Sequence, residues 1–314
     1  MVTYLQHNRI KTGTRFSLCA VQACPCRCPA ALGGPGTSRL AVGEMSAVPR
    51  VVFLHGWCGH GDEAQHLQAA LPAPLLAPSW MPAPGSIDLT SWPAEEGPAM
   101  AASMAEVAER ILQHVRQSIL RAGFAGSMLI GHSMGGAMAC VLASDPAIAA
   151  RGLVLLDSSV PMPPQRRADT LDRMGQWIGR AVTEGRTAAQ AAWVVDQPNR
   201  TEYFFDPSDQ GPARALIERR MAHAPVVEAA AALGGYVQWP INEALQQLRC
   251  PVVAFAADPG RLPVAALRQA RPDAAIHTIR HCGHFVHVFA AEQVRAALRY
   301  WEPTSRRVSP TPPQ

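Results

Sequence analysis

The chain of 314 residues lacks any apolar run near the roughly 18–20 residues that a membrane-spanning helix requires. Lysine is almost absent, since Lys11 is the only one, and the first 44 residues contain a single acid, Glu44. Those 44 residues carry five basic side chains and so account for the net charge of +4, while the remainder balances 23 basic against 23 acidic residues. A region without net charge, as residues 45–314 form, has no electrostatic attraction for a polyanion. The composition therefore predicts neither a nucleic-acid nor a membrane partner.

The eight cysteines do not have the distribution of a small disulfide-rich secreted domain. Four crowd the N-terminal stretch and four are scattered through the body (Cys19, Cys24, Cys26 and Cys28; Cys58, Cys140, Cys250 and Cys282). Free thiols in a reducing compartment are the simpler interpretation, and they predict a cytoplasmic location. The run from Cys24 to Cys28 has no second ligand cluster at zinc-like spacing. We therefore predict no metal and no cofactor.

Both ends of the chain lack sustained periodicity. Residues 1–44 contain Gly-Gly-Pro-Gly at 33–36 and are predicted to be disordered, or translated from upstream of a natural start at Met45. An arginine-bearing, acid-poor leader is also compatible with an organelle transit peptide. Residues 303–314 are rich in proline, serine and threonine and are predicted to be a disordered tail. Nothing in the sequence indicates an oligomeric state.

Between these ends, short apolar runs alternate with amphipathic segments, which is typical of a parallel α/β sheet. The predicted strands are 50–54, 75–77, 128–130, 152–157, 251–256 and 275–279, and the main predicted helices are 61–71, 99–121 and 293–300. Mostly helical sequence at 161–248 interrupts the alternation. We predict a mostly parallel, doubly wound sheet with a core of residues 45–160 and 249–302. Residues 161–248 would form a helical cap over the carboxyl ends of the strands, where ligands bind in such sheets.

One turn combines a nucleophile with the glycines that a sharp bend needs. Ser133 lies in the Gly-x-Ser-x-Gly sequence of residues 131–135, directly after an apolar strand and before a helix of small residues. Such a turn lifts the hydroxyl clear of its own backbone and aims the helix N-terminus at it. Because a free serine is a weak nucleophile, the pattern needs a base and an acid elsewhere.

A base and an acid are available later in the chain. After the last strand come His281, His284 and His287, and His284 is favoured as the base because Gly283 permits a bend before it. Asp258 follows the strand 251–256 in a Pro-Gly loop and is the favoured acid, with Asp157 at the end of the preceding strand as the alternative. The order serine, acid, histidine is that of a known triad.

With these residues in place, the stretch from about Val51 to Ala297 resembles the α/β-hydrolase family, and within it the serine carboxylesterases with a helical cap. The resemblance rests on His55-Gly56-Trp57, on the Ser133 turn, and on Gly283-His284-Phe285. It implies that the backbone N–H groups of Trp57 and Met134 form the oxyanion hole. Two departures are the absence of the family's two earliest strands and the sequence Pro78-Ser79-Trp80-Met81-Pro82, which replaces the usual glycine-rich loop.

The resemblance implies hydrolysis of a small or medium ester or thioester through an acyl-enzyme, with no cofactor. The aromatic residues of the cap would either form an acyl pocket or pack as core (Trp177, Trp193, Tyr203, Phe204, Phe205 and Trp239). One alternative is a cofactor-free dioxygenase, which Gly56-Trp57-Cys58 and a strand-end acid such as Asp157 resemble, although Met134 stands where that class has a histidine. The other alternative is a non-catalytic receptor on the same fold.

Overall fold

A computed structural model describes residues 50–69, 71 and 74–299, apart from the side chains of residues 199, 200 and 202. The predicted extension of residues 1–44 and the predicted tail of residues 303–314 lie outside the described residues. Within the described part, no helix is both long and apolar enough to cross a bilayer.

A single sheet of six parallel strands organises the described chain. The strands are β1 (Val51–Leu54), β2 (Leu75–Leu76), β3 (Met128–His132), β4 (Gly152–Leu156), β5 (Val252–Asp258) and β6 (Ala275–Arg280). Their spatial order is β2-β1-β3-β4-β5-β6, and every neighbouring pair is parallel. The strand order reverses direction between β1 and β3. Ligands in open α/β sheets bind beyond the carboxyl ends of the strands at such a reversal.

The central strands β1, β3, β4 and β5 are buried on both faces, as their continuous apolar runs predict, whereas the edge strand β6 is largely exposed. Alternate residues of β1 belong to different hydrophobic clusters, with Val52 and Leu54 in one and Val51 and Phe53 in the other. Helices cover both clusters, so the predicted doubly wound arrangement is confirmed. The loops at the carboxyl ends of the strands are thereby held on a rigid frame.

Twelve α-helices connect and cover the strands in the described residues. They are α1 (Gln65–Gln68), α2 (Pro98–Arg121), α3 (Met134–Ser144), α4 (Pro164–Glu184), α5 (Arg186–Val195), α6 (Gln197–Thr201), α7 (Pro212–His223), α8 (Val226–Tyr236), α9 (Ile241–Gln247), α10 (Val264–Ala270), α11 (Val286–Phe289) and α12 (Ala291–Arg299). Two 3₁₀ turns lie at Gly61–Ala64 and Glu202–Phe204. The predicted helix 61–71 is therefore a 3₁₀ turn followed by one helical turn, and the predicted helix 293–300 begins earlier, at Ala291.

The helices between β4 and β5 pack onto the sheet's own helices. Helix α8 lies against α2 so closely that a side chain at Gly235 would collide with the main-chain oxygen of Met104. Buried residues of α4, α5 and α8 belong to the same hydrophobic cluster as β1 and β3. The insertion therefore shares a core with the sheet, while its role as a substrate-determining cap stays a prediction.

A substitution at Gly135 would test whether close packing fixes the turn that contains Ser133. A Cβ atom at Gly135 would overlap the main-chain oxygens of Leu54 and His55, which belong to β1 and its loop and cannot move independently. We expect Gly135→Ala to lower the free energy of unfolding by about 2–3 kcal/mol or more, because overpacking here strains backbone. Gly175→Ala is the matched control, since its Cβ would meet only the flexible side chains of Glu96 and Met100. Urea unfolding of both variants measures the effect, and equal stabilities would contradict this packing argument.

Candidate active site

The site lies where the strand order reverses. The loop after β1 contains Gly56 and Trp57, and the turn after the neighbouring strand β3 contains Ser133. Ser133, Trp57 and His284 line one cavity of about 190 Å³, which is small for a ligand pocket. The topology therefore brings together the predicted nucleophile, the predicted base and the predicted oxyanion loop.

Ser133 occupies a strained backbone position, with φ 53° and ψ −120°. The turn can adopt this conformation because the residues around Ser133 are small. A Cβ atom at Gly131 would collide with the main chain of Gly135, and one at Gly136 would collide with the hydroxyl of Ser158. Helix α3 begins at the next residue, Met134. A non-glycine residue held in this conformation indicates a functional turn, and the free N–H groups of the first helical turn lie beside the serine.

The acid that contacts His284 is Asp157. Its Oδ2 atom lies 2.7 Å from Nδ1 of His284, and both side chains are buried, with exposed fractions of 0% and 5%. Because a carboxylate only accepts, Nδ1–H of His284 is the donor and Nε2 keeps its lone pair. This arrangement gives the imidazole the tautomer that a general base requires.

The preference for Asp258 over Asp157 was wrong about which carboxylate meets His284. Asp258 ends β5 opposite Arg280 of β6, and its side chain is exposed. Asp157 instead turns under the loop after β5, where it accepts hydrogen bonds from the backbone N–H groups of Ala257, Arg261 and Leu262 at 2.9–3.2 Å. Its φ of 44° gives the carboxylate this direction. The loop of Asp258 thus serves to hold Asp157.

The loop of His284 is fixed from three sides. The backbone N–H of His284 donates to the carbonyl of Phe204 at 2.7 Å. The ring of Phe204 also stacks on the imidazole of His284, with 5.0 Å between the ring centroids. The carbonyl of His284 accepts from Nε2 of His132 at 3.1 Å. The carboxylate of Asp209 accepts the N–H of Gly283 at 2.9 Å. These contacts hold the imidazole in one orientation without using its Nε2 atom.

Burial controls the protonation of His284. It lowers the pKa of the imidazole below the ordinary value, and the hydrogen bond and charge of Asp157 offset this only in part. Positive charge from Arg261 lowers the pKa of His284 further. The imidazole is therefore neutral near pH 7 and able to accept a proton.

A layer of buried histidines supports this loop from behind. His287 donates Nε2–H to Glu63 at 3.1 Å, and burial lowers the pKa of His55 to about 4 and that of His132 well below its ordinary value. Glu63, His132 and His287 each place one donor atom within 4.8 Å of the others, a set of ligand types that zinc accepts. Hydrogen bonds engage Nε2 of His132, Nε2 of His287 and a carboxylate oxygen of Glu63, whereas Nδ1 of each histidine is buried without a hydrogen-bond partner among the described residues.

The cavity itself is lined by side chains from the sheet loops and from α4, the 3₁₀ turn and α8 (Trp57, Ser133, Ser159, Arg166, Thr170, Arg173, Met174, Tyr203, Phe204, Leu233, Tyr236, Arg261 and His284). Of the six aromatic cap residues named from the sequence, Tyr203 and Phe204 line it, and Tyr236 of α8, which was not among them, does so as well. Trp193 is fully buried and Trp239 is 4% exposed, so both are core. The arginines were not anticipated from the sequence, although the spacing of Arg166, Thr170 and Arg173 is that of one helix face.

Comparison with known proteins identifies the family of this chain. The sequence model described as "Alpha/beta hydrolase family" matches residues 51–297, which is most of the chain. No curated protein matches the chain in sequence.

Solved structures with several activities are similar to this chain. A thermophilic esterase from Thermogutta terrifontis has 20% identity and a TM-score of 0.57, covering 81% of this chain and 89% of its own. A bromoperoxidase from Bacillus anthracis has 14% identity and a TM-score of 0.58, with 80% and 91% covered. An enol-lactonase from Burkholderia xenovorans has 15% identity and a TM-score of 0.54, with 82% and 92% covered. At these identities the likeness concerns the fold, so the chemistry must be argued from the site.

Proposed function

The chain belongs to the alpha/beta hydrolase family, and from that premise we propose that it is a serine hydrolase of carboxylic esters or thioesters. Ser133 is the nucleophile, His284 the base and Asp157 the acid. The single observation that carries the proposal is the buried Asp157–His284 pair at 2.7 Å, in a cavity that His284 shares with Ser133. A strained serine, a neutral imidazole and a buried carboxylate are the three parts that acyl transfer needs.

The first half of the reaction forms an acyl-enzyme. The Ser133 oxygen attacks the carbonyl carbon while its proton moves to Nε2 of His284, and Asp157 stabilises the imidazolium through Nδ1–H. The backbone N–H groups of Trp57 and Met134 would receive the negative oxygen, an arrangement in which one lost donor costs about 10²–10³ in rate. The intermediate then collapses, the bond to the leaving oxygen or sulfur breaks, and the leaving group takes the proton from His284.

The second half restores the enzyme. His284 removes a proton from water, and the resulting hydroxide adds to the acyl carbon of the Ser133 ester. Collapse of that intermediate releases the carboxylic acid and returns the proton to the Ser133 oxygen. Water is the only co-reactant, so the cycle balances without a cofactor.

Hydrolysis of a graded series of 4-nitrophenyl esters tests the proposal. The cavity of about 190 Å³ favours short acyl chains, so kcat/KM is expected to be highest for the short members and to fall as the chain lengthens. The matched thioesters, followed by thiol release, test the second substrate class. Folded protein that hydrolyses neither series above the rate of a heat-treated sample would contradict the proposal.

The dependence of kcat/KM on pH reports the protonation of His284. The base must be neutral, so activity falls as pH drops through its pKa. Burial lowers that pKa from the ordinary value of about 6.5. We therefore expect the acid limb of the kcat/KM profile to follow a single protonation with its midpoint below pH 6.5. A profile whose acid limb has its midpoint above pH 7 would contradict the neutral, buried base.

The dioxygenase alternative has one observation in its favour, since the acid beside His284 follows β4, where that class has its acid. Met134 argues against it, because the histidine of that class after the serine is missing. Oxygen consumption measured with an electrode during turnover separates the two: the serine hydrolase consumes none. Turnover itself separates the hydrolase from a receptor, which would react with a serine probe and release no product.

A further inference from the structure

Three arginines surround the cavity that contains Ser133. Arg166 and Arg173 lie on one face of α4 together with Thr170, and Arg261 lies on the loop after β5. No carboxylate of any kind is among the residues that line this cavity. The polar end of the cavity is therefore positively charged.

Arg166, Arg173 and Arg261 pair with no carboxylate among the described residues, whereas most of the partly buried arginines elsewhere do. Arg186 pairs with buried Glu228 at 3.0 Å, and Arg220 pairs with Asp62 at 2.7 Å. Within the described residues, by contrast, no carboxylate oxygen lies within 4.0 Å of the guanidinium of Arg166, Arg173 or Arg261. Among the described residues, the three guanidinium groups therefore have no direct ion-pair partner inside this concave site.

The guanidinium groups are held by neutral partners that leave their charge available. Arg166 donates to the hydroxyl of Ser159 and to the carbonyl of Arg261, the latter at 3.1 Å. Arg261 stacks over the rings of Tyr203 and Phe204, at 4.7 and 4.8 Å from their centroids. Stacking fixes the plane of a guanidinium while its N–H groups stay free for a planar anion.

The neighbouring acid does not neutralise this end of the cavity. Asp157 uses its oxygens on His284 and on backbone N–H groups, including that of Arg261 itself. Burial lowers the pKa of Arg261 and the charge of Arg166 lowers it further, while the negative charge of Asp157 offsets this only in part, so the two cations still repel each other. Burial also raises the pKa of Tyr236 to about 12, which keeps its hydroxyl protonated and able to donate. An incoming anion would relieve the repulsion and find several donors.

We infer that Arg166, Arg173 and Arg261 bind an anionic oxygen group, a carboxylate or a phosphate, on the part of the substrate remote from the scissile bond. The substrate is thus an ester or thioester that carries a negative charge. The reaction named here rests on the proposed serine hydrolase, whereas anion binding at the arginines does not. Arg166 and Arg261 make the main contribution, because Arg173 is exposed and more fully hydrated.

Matched substrates test the inference kinetically. The mono-4-nitrophenyl ester of glutaric acid carries a terminal carboxylate, and 4-nitrophenyl pentanoate has the same chain length without the charge. Hydrogen bonds to a charged group lead us to expect kcat/KM to be about tenfold or more higher for the charged ester. High salt should reduce that ratio by screening. A ratio at or below unity for both this ester and a phosphate-bearing one would overturn the inference.

Substitutions assign the preference to the arginines. Arg166→Gln and Arg261→Gln should each lower the ratio by about tenfold, and Arg166→Lys should retain part of it because the charge remains. Arg167→Gln is the matched control, since Arg167 is the next residue of α4 and does not line the cavity. Circular dichroism confirms that each variant is folded. A ratio unchanged by both glutamine variants, or lowered equally by Arg167→Gln, would overturn the inference.

A binding measurement separates this inference from the proposed reaction. Calorimetry on Ser133→Ala uses glutarate, neutral glutaramide and inorganic phosphate as the three probes. A heat of binding measured with glutarate alone identifies a carboxylate site. A heat of binding measured with phosphate alone identifies a phosphate site. Either result, abolished in Arg261→Gln, supports the arginine site even if no ester is hydrolysed. Absence of binding by both anions, while neutral esters are turned over by the wild type, rejects the anion site and leaves the hydrolase standing.

Discussion

Ser133→Ala is expected to reduce kcat for the best ester by on the order of 10⁴- to 10⁶-fold, the range seen when a triad nucleophile is removed. The reason is that no other hydroxyl in the cavity stands on a strained turn beside the N-terminus of a helix and next to His284. Binding should persist, because the cavity walls are unchanged. The measurement is steady-state and single-turnover hydrolysis with the protein from a host strain free of background esterases.

The same variant should remain folded. Ser133 donates no side-chain cap to α3, and removing one hydroxyl leaves the surrounding glycine contacts intact. Ser144→Ala, at the far end of α3, is the matched control, since its hydroxyl bonds only to the carbonyl of Val141. We expect that control to have wild-type kinetics. Activity of Ser133→Ala within roughly tenfold of wild type would exclude Ser133 as the nucleophile.

Asp157→Asn should be the second most damaging change. The amide would present N–H to Nδ1 of His284 and favour the tautomer with its proton on Nε2, which cannot act as a base. The corresponding change in a serine protease triad costs about 10⁴ in kcat. Asp258→Asn should stay close to wild type, because that carboxylate is exposed and does not contact His284. Both are compared on kcat/KM with one ester.

The stability of the Asp157 variant needs a separate check, since its carboxylate also holds the loop of Ala257, Arg261 and Leu262. Thermal unfolding shows whether the loss is one of structure. If Asp157→Asn is folded and retains activity while Asp258→Asn loses it, the acid is the one that the sequence favoured, and the geometry described here is not that of the working enzyme.

The central strands of the sheet could be predicted from the sequence because they are buried on both faces. A run such as Val51–Leu54 leaves no alternative to a central parallel strand. The turn that contains Ser133, the proposed nucleophile, could also be predicted, since only glycines at 131 and 135 allow the main chains of β1, β3 and α3 to approach so closely. The apolar strand and the glycine turn each depend on residues that are adjacent in the chain, and such local patterns can be recognised in a sequence.

The acid could not be predicted because it depends on direction rather than position. Asp157 and Asp258 both follow strands of the same sheet, and both precede His284 in the chain. Which carboxylate turns inward is decided by the φ of 44° at Asp157 and by the hydrogen bonds of the 257–262 loop, neither of which leaves a pattern in the residue types. A donor-rich loop that encloses one carboxylate is a tertiary feature.

The arginines of the cavity were missed for a related reason. Arg166 and Arg173 lie in an amphipathic helix whose polar residues are expected to face solvent. Only the placement of α4 over the strand ends turns that face toward Ser133. The aromatic residues of the insertion are more conspicuous in the sequence than the arginines, yet Trp193 and Trp239 pack in the hydrophobic core. The substrate preference that we infer therefore depends on how the inserted helices pack over the strand ends. The periodicity of the sequence does not describe that packing.

The central claim is that Ser133 is activated by a His284–Asp157 pair, and a fluorophosphonate probe followed by mass spectrometry tests it most directly. The probe reacts covalently with an activated serine and reports chemistry without requiring the natural substrate. The account predicts one adduct per chain, located on the peptide that contains Ser133, absent in Ser133→Ala, and formed far more slowly in Asp157→Asn than in Asp258→Asn. An unmodified wild-type protein, or an adduct that persists in Ser133→Ala, would contradict it.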